Sequence, residues 1–564
     1  MNDPVKRLTQ ISTTPSDREA FNAWLQGQDA IDFLIDNARE DEFVVYAGIG
    51  STFMHGIVVP AALVNPPDLQ DLLSWSCDPW SSWGTCCSYS DKPEVSISPP
   101  LDHTRSKTLD RGEQLVFGRS FAGRLGDKSY FEVLQKFVHL FDLHFLPERD
   151  SYCRLDKRGD VEDAIRIVSI PAKNDSLGGS IVTFDRDLLE QYLALTESVI
   201  VRTFDFTRIR PSEFICWSAA ETERCLHDDL FYRSRIEPGK GSYMRGVQIV
   251  RPVTSKEALR ERFSPTYRER REYASFIAHD WKNNVVTEIS CAPGHTANYF
   301  TKSELPYETS PVFFRPEVLS KYKSDSEKYR LQDRSISCRG AWYLQTYDIN
   351  EAGQVHTYIV YLQALPYEEQ LYWKSYNEPP KGPISKRALK TDFEGNWDLE
   401  YDALSSLKRA FSELHRQHVP WWTQRTEKLL DQVHYPATSS PDEWANEILL
   451  LDQLIVEGFE ERWLRQEAQS LGRTPDLQFR SLKLIEECLT GLGFEQDHAR
   501  QITEPFHSVH ALRSKLKGHA SGEDATAIKR RALAEHGSYK EHFRNLCQRC
   551  DESIRTVSEA LKRA

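Results

Sequence analysis

Over the first forty residues, apolar positions recur at helical spacing: Ala20, Phe21, Trp24, Leu25, Ile31, Leu34 and Ile35 repeat near every 3.6 residues. The pattern then switches to two β-like runs, residues 43–47 and 53–59, on either side of Gly48-Ile-Gly50-Ser-Thr52. A dinucleotide-binding loop would need a third glycine and would open a helix. A β-branched run follows instead, so the segment predicts a hairpin. Residues 74–100 are rich in Ser, Pro, Trp and Cys and predict an irregular loop, with Trp75, Trp80 and Trp83 folded onto something apolar. Residues 129–146 predict a strongly apolar helix carrying His139 and His144. Five positions apart, these would lie about 140° from each other, which is poor geometry for a shared metal.

Between residues 161 and 367 short β-like runs alternate with polar stretches. The candidate strands are 165–170, 181–184, 199–206, 214–217, 247–250, 285–291, 339–347 and 354–362. Irregular spacing and frequent Gly and Pro favour α+β with a mostly antiparallel sheet over a doubly wound fold. The last two runs, around a turn containing Gly353, form the clearest predicted hairpin. Residues 377–384, dense in Pro and Gly, read as a linker. After residue 397 the pattern becomes helical. Ser440-Pro-Asp-Glu443 supplies a cap, a first-turn proline and two acids ahead of Trp444, Ile448, Leu451, Ile455, Phe459 and Trp463, predicting one long helix. Further helices are predicted at 398–417, 476–490, 497–517, 522–535 and 538–562, with Pro505 breaking or kinking the third near its start. The expected organisation is an α+β domain over residues 1–160, a mainly antiparallel-sheet domain over 161–385, and a helical bundle over 397–564.

Length and charge sharpen this picture. A single core rarely grows beyond roughly 250–300 residues, so 564 residues imply more than one domain. No apolar run approaches the ~18–20 residues a membrane span requires, and the N-terminus lacks a secretory core, so a soluble cytoplasmic protein without membrane attachment is expected. Eleven cysteines without framework spacing fit reduced thiols. Cys547-Gln-Arg-Cys550 is a lone CxxC whose cysteines fall on the apolar stripe Phe543, Leu546, Cys550, Ile554, Val557 and Leu561, so they read as core rather than as zinc ligands. Neither a metal nor a cofactor is expected. The net charge of −13 argues against a general grip on nucleic acid, yet residues 503–564 alone carry +4.

Candidate chemistry concentrates in that basic segment, at Arg513-Ser-Lys-Leu-Lys-Gly-His519. Histidine titrates near neutral pH and can move a proton, while the planar guanidinium of arginine matches phosphate oxygens. On a continuous helix the two would sit about 120° and about 9 Å apart, so a left-handed Gly518 ending the helix is expected to let His519 turn back. The bland alternative stays open: basic residues near a helix C-terminus stabilise its dipole, and a histidine beyond a glycine cap is unremarkable. Elsewhere, His227-Asp228-Asp229 and His279-Asp280 place neighbouring side chains on opposite sides and make poor metal sites. The run from Arg260 to Arg271 mixes acids with bases and reads as a solvated helix. No Walker loop, HExxH, GxSxG or kinase motif is present.

The string HALRSKLKGHASGEDA, from His510 to Ala525, resembles the HEPN domains at the C-termini of bacterial defence proteins. The resemblance covers residues 497–564. It implies a metal-independent endoribonuclease with Arg513 and His519 as catalytic residues, Ser514, Lys515 and Lys517 against the RNA, and a composite site across a homodimer of the bundle. The family often has Asn, Asp or His after the arginine, where this chain has Ser514. The N-terminal region would then restrain the nuclease or recognise a trigger such as a protein. A non-catalytic scaffold that dimerises through the bundle and binds a protein partner is the competing reading.

Overall fold

The structure, a computed structural model, describes residues 3–69, 72, 78–89, 92–101, 104, 106–123, 126–172, 178–210, 212–226, 229–264, 271–396, 401–426, 428–518 and 523–562. The fold is α+β, with antiparallel sheets in the N-terminal region and helices in the C-terminal part. The chain divides into two compact units, Met1–Asp156 with Val161–Glu269 and Lys157–Asp160 with Arg270–Ala564. Among the described residues no helix is long and apolar enough to cross a membrane.

The first unit begins with α1 (Pro4–Ile11), α2 (Arg18–Gln26) and α3 (Gln28–Asn37), and then β1 (Glu42–Ile49) and β2 (Thr52–Pro60). The last two form the expected hairpin, Ile49 opposite Thr52, with Gly50 at φ 56° in the left-handed conformation the turn requires. Two strands that read as loop follow: β3 (Gly84–Ser88) pairs with β4 (Glu94–Ser98), and both are exposed throughout β3 and most of β4. Next come β5 (Val116–Gly123) and β6 (Gly126–Val133), which pair over their full length. That pairing overrides the helix expected at 129–146: only Gln135–Leu140 is helical, and His144 begins β7 (His144–Leu146). His139 and His144 are exposed at element ends.

Antiparallel pairing then joins β8 (Ser151–Leu155), β9 (Val161–Ile170) and β10 (Gly179–Asp185). After α4 (Arg186–Thr196) come β11 (Ser198–Ile209), β12 (Thr222–Leu226), β13 (Leu230–Glu237) and β14 (Gly241–Val250). The order across the sheet is β12-β13-β14-β11-β2-β1-β10-β9-β8-β7, with Glu113–Gln114 added beside β2. Strand alternation sends Phe43 and Val45 to one face, where they meet Leu188, Leu189 and Tyr192 of α4. Val44 goes to the other face and, after a register shift between Val44 and Tyr46, so do Ala47 and Ile49, against Leu8, Ile31 and Leu34 of α1 and α3. A border at residue 160 is therefore corrected: β8 and β9 pair across it (Leu155 opposite Val161), and Met1–Asp156 and Val161–Glu269 belong to one unit. The run 214–217 is not a strand.

In the second unit β15 (Ser275–Asp280) pairs with β16 (Val285–Ser290) and touches β17 (Pro311–Phe314), which pairs with β18 (Val355–Tyr358). The 339–347 run yields only Trp342–Leu344, which joins Ile336–Cys338 rather than residues 354–362. The Gly353 turn survives between Asp348–Ile349 and β18, and a helix, Ile359–Gln363, replaces the end of the second run.

The expected linker at 377–384 is also corrected. Asn377–Glu378 pairs with β17, Gln354 Nε2 donates to Glu378 Oε1 (2.7 Å) and the Pro379 carbonyl (3.0 Å), and Asn350 Nδ2 donates to the Pro383 carbonyl (3.0 Å). Backbone held this way resists proteases. Trypsin conditions that nick the exposed Arg260 or Arg262 are expected to leave Lys381–Gly382 intact; a primary cut at Lys381, read by mass spectrometry, would show the segment to be loose.

The bundle comprises α5 (Ala403–Arg416), α6 (Pro441–Ile455), α7 (Glu461–Ser470), α8 (Ser481–Gly491), α9 (Gln496–Arg513), α10 (Glu523–His536) and α11 (Tyr539–Leu561). Ser440 caps α6 as expected, accepting from the Asp442 and Glu443 amides. The helix nevertheless stops at Ile455. The Phe459 region bridges to Trp422, and Gly458 sits so close to the Trp422 indole that a Cβ would lie 2.2 Å from its Nε1. Cys547 and Cys550 are fully buried in the core, where burial pushes both thiols up.

Candidate active site

Helix α9 carries the arginine singled out in the sequence. Its proline does not interrupt it: Pro505 is buried beside Ile502, Phe506 and Val509, and the helix runs on to Arg513. There the hydrogen-bonding pattern widens, and Ser514–Gly518 form a π-helical turn. The α-helix thus ends five residues before Gly518, not at it. The Ser514 amide donates back to the carbonyls of His510 and Ala511, and the Lys515 side chain is exposed on the turn. Lys517 belongs to the same turn by its backbone; its side chain and all of His519 lie outside the described residues. The structure thus brings Arg513, Ser514 and Lys515 together at one helix end.

Beneath that end lies Asp452, an acid at a core position of α6. Its side chain is 0 % exposed. His510 Nδ1 is 3.0 Å from Asp452 Oδ1, and Arg513 Nε is 3.7 Å from Asp452 Oδ2. Oδ2 itself has no hydrogen-bond partner. The second prong of the Arg513 guanidinium reaches toward Glu457 Oε1 at 3.6 Å. His510 and Arg513 keep 49 % and 37 % of their side chains exposed, so each is anchored from below and open above. Burial raises the Asp452 carboxyl above its ordinary value, and His510 and Arg513 offset this only in part.

One turn back on α9, His507 Nε2 is 2.9 Å from Glu486 Oε1 of α8. The same carboxylate accepts from Thr503 Oγ1 (3.2 Å) and from Lys483 Nζ (2.7 Å). Burial pushes Glu486 up, but the bonds from His507 and Lys483 outweigh it and bring the group down to about 2. Thr503, His507, His510 and Arg513 thus form a polar seam along α9, each residue held by an acid from a neighbouring helix.

Asp452, Glu486, His507 and His510 escaped the sequence reading. The available signal was His507-Ser-Val-His510-Ala-Leu-Arg513, whose spacing of three stacks the side chains on successive turns. Asp452 was hidden by its place beside the apolar stripe of α6.

Among the described residues the remaining candidates do not assemble into a site. His279 Nε2 meets Asn284 Oδ1 at 3.0 Å, while Asp280 accepts from the amides of Lys282 and Asn283. His227 and Asp228 lie outside the described residues, as does much of the run between Arg260 and Arg271, whose described start closes the helix Lys256–Arg262. Among the described residues no group of three or more His, Cys, Asp or Glu side chains is arranged to hold a metal ion. The fold and site define an α+β protein closed by a helical bundle with a carboxylate–histidine–arginine seam. No protein-family model, curated protein or solved structure matches the chain.

Proposed function

We propose that this chain is a metal-independent endoribonuclease of the HEPN type, a defence-type effector whose bundle cuts RNA under control of the N-terminal region. The observation that supports the reading is the shared carboxylate: one fully buried Asp452 holds a histidine at 3.0 Å and faces an arginine at 3.7 Å, and both stay open to solvent. Cutting RNA through its own 2′-hydroxyl asks for a group that moves a proton and a fixed positive charge for the extra-negative phosphorus centre. Histidine and arginine meet those two demands without an acidic cage around a metal. Ser514 and Lys515 on the adjoining turn add a hydroxyl and a charge for flanking phosphates; by the resemblance, Lys517 and His519 join them in a homodimer.

The test is incubation of the full chain with a single-stranded RNA oligonucleotide in EDTA. Cleavage leaving a 2′,3′-cyclic phosphate or its hydrolysis product is expected, and the all-2′-deoxy version should survive. Cleavage that appears only with added magnesium, or none at all, would overturn the reading.

The β3–β4 hairpin favours a second one. A two-stranded ribbon is marginal alone in water, and this one leaves Tyr89, Val95 and Ile97 at least two-thirds exposed. Such a surface suits a scaffold or sensor that binds a protein partner, and an effector could use it to receive its trigger.

A further inference from the structure

We infer that His507 and His510 of one chain act together as the acid and base for RNA transesterification, one positioned by Glu486 and the other by Asp452. This rests on the ribonuclease reading and deepens it. The resemblance implies a site completed by a second protomer, whereas the seam on α9 holds two histidines within a single helix.

Transesterification needs two proton transfers. A base removes the 2′-hydroxyl proton as the 2′-oxygen bonds to phosphorus, and an acid protonates the 5′-oxygen as its bond to phosphorus breaks. The products are a 2′,3′-cyclic phosphate and a 5′-hydroxyl. Two rings in complementary protonation states satisfy both steps, and neither works if its ring turns freely. Residues three apart on a helix have Cβ atoms about 5–6 Å from each other, a separation that a phosphate and its two ester oxygens can bridge.

Each ring is tied at one nitrogen, leaving the other for substrate. His510 is held through Nδ1 at 3.0 Å from Asp452, so Nε2 is the atom assigned to accept the 2′-proton. His507 is held through Nε2 at 2.9 Å from Glu486, so Nδ1 is assigned to deliver the proton to the leaving oxygen. Glu486, bonded also by Lys483 and Thr503, stays ionised and can face an imidazolium; Asp452 lies fully buried beneath a ring that must start neutral. Arg513, one turn further on, meets the phosphate between them. The charged groups paired along the seam are Lys483 and Glu486 from α8, Asp452 from α6 with Glu457 beyond it, and Arg513 and Glu504 on α9, the last paired with Arg549 of α11. A purely structural seam would also show these bonds, so the test must read proton transfer.

Initial rates of the full chain on a fluorescent RNA oligonucleotide in EDTA, from pH 5 to 9, should trace a bell. His507→Ala and His510→Ala are each expected to slow cleavage about 100-fold or more, and the residual activity of each should lose one limb of the bell. The variants His507→Gln and His510→Gln keep a hydrogen-bonding group for the acid, so loss of activity at an unchanged melting temperature separates chemistry from folding. An equimolar mixture of the two alanine variants should show no recovery. If the wild type cleaves RNA and both histidine variants keep its rate and pH profile, the pair is wrong while the ribonuclease reading stands. Recovery on mixing would place the two rings on different protomers and overturn the single-chain assignment. A wild type inert on RNA at every pH removes both.

Discussion

Arg513→Ala is expected to lower RNA cleavage by about 100-fold to 1,000-fold, the loss typical when one fixed donor to a developing oxyanion is removed. The fold should barely notice. Arg513 sits at a helix end with over a third of its side chain in solvent, and its ion pairs, at 3.6 and 3.7 Å, are long. Arg513→Lys should not rescue, because a point charge cannot grip phosphate with two prongs. The resemblance, which pairs His519 with Arg513, implies that His519→Ala is inactive, whereas proton transfer by His507 and His510 leaves that variant active; Lys515→Ala should weaken RNA binding in a salt-dependent way and leave turnover measurable.

Asp452→Asn makes the sharper companion. The wild-type carboxylate is fully buried, holds one oxygen without a hydrogen-bond partner and is raised above its ordinary value, so charging it there costs folding energy. The amide should leave the melting temperature unchanged or raise it; its oxygen can still accept from His510 Nδ1, but the negative charge facing His510 and Arg513 is gone and activity should fall. Stability gained with function lost marks a group retained for chemistry. A fall in both, or no change in activity, would make Asp452 a structural residue. Calorimetry and single-turnover rates on the two variants decide the matter.

The second unit is expected to lose stability steeply as pH falls from about 6.5 to 4, near and below the ordinary histidine value. Burial holds His356 down to about 4, with Asp348 opposing, and His434 down to about 3, helped by Lys408 and Lys323. His542 is likewise lowered to about 4, by burial and then His536. A depressed histidine stays neutral in the fold but takes a proton in the unfolded chain. Its contribution is therefore complete above the unfolded value and disappears as pH drops through the folded one. For His356, only 1 % exposed, the shift corresponds to about 3 kcal/mol. Glu447 works the other way: burial raises it to about 7 despite Lys323, so its contribution is present at low pH and lost as pH rises through 7. Three histidines outweigh one glutamate, and the net slope is toward acid instability. Urea denaturation of the full chain at pH 7, 6, 5 and 4.5, followed by tryptophan fluorescence, should show the midpoint falling. His356→Gln should flatten the slope; a midpoint constant or rising toward pH 4.5 would contradict the neutral-histidine account.

The periodicity of the chain was enough for the elements whose partners lie close by. The β1–β2 hairpin needed only two apolar runs and a glycine turn, and the start of α6 needed only Ser440, Pro441 and two acids, because caps and tight turns are decided within four or five residues. Most bundle helices fell within a few residues of their ranges for the same reason. Elements settled by distant contacts escaped. Residues 129–133 have an apolar pattern compatible with a helix, but pairing with 116–120 made them a strand; residues 377–384 look like a linker until Asn350 and Gln354 tie them down.

The candidate site divides along the same line. Arg513 and its basic turn were visible as a local motif, since six residues suffice to display that spacing. Asp452 was not, because a lone acid on an apolar stripe acquires meaning only when α9 packs over it and brings His510 to 3.0 Å. Nor could sequence pair Glu486 with His507, twenty-one positions away on another helix. Charge, helix content and the arginine were determined locally. Which acids anchor which histidines was decided by tertiary packing, which alone fixes the distances on which proton transfer depends.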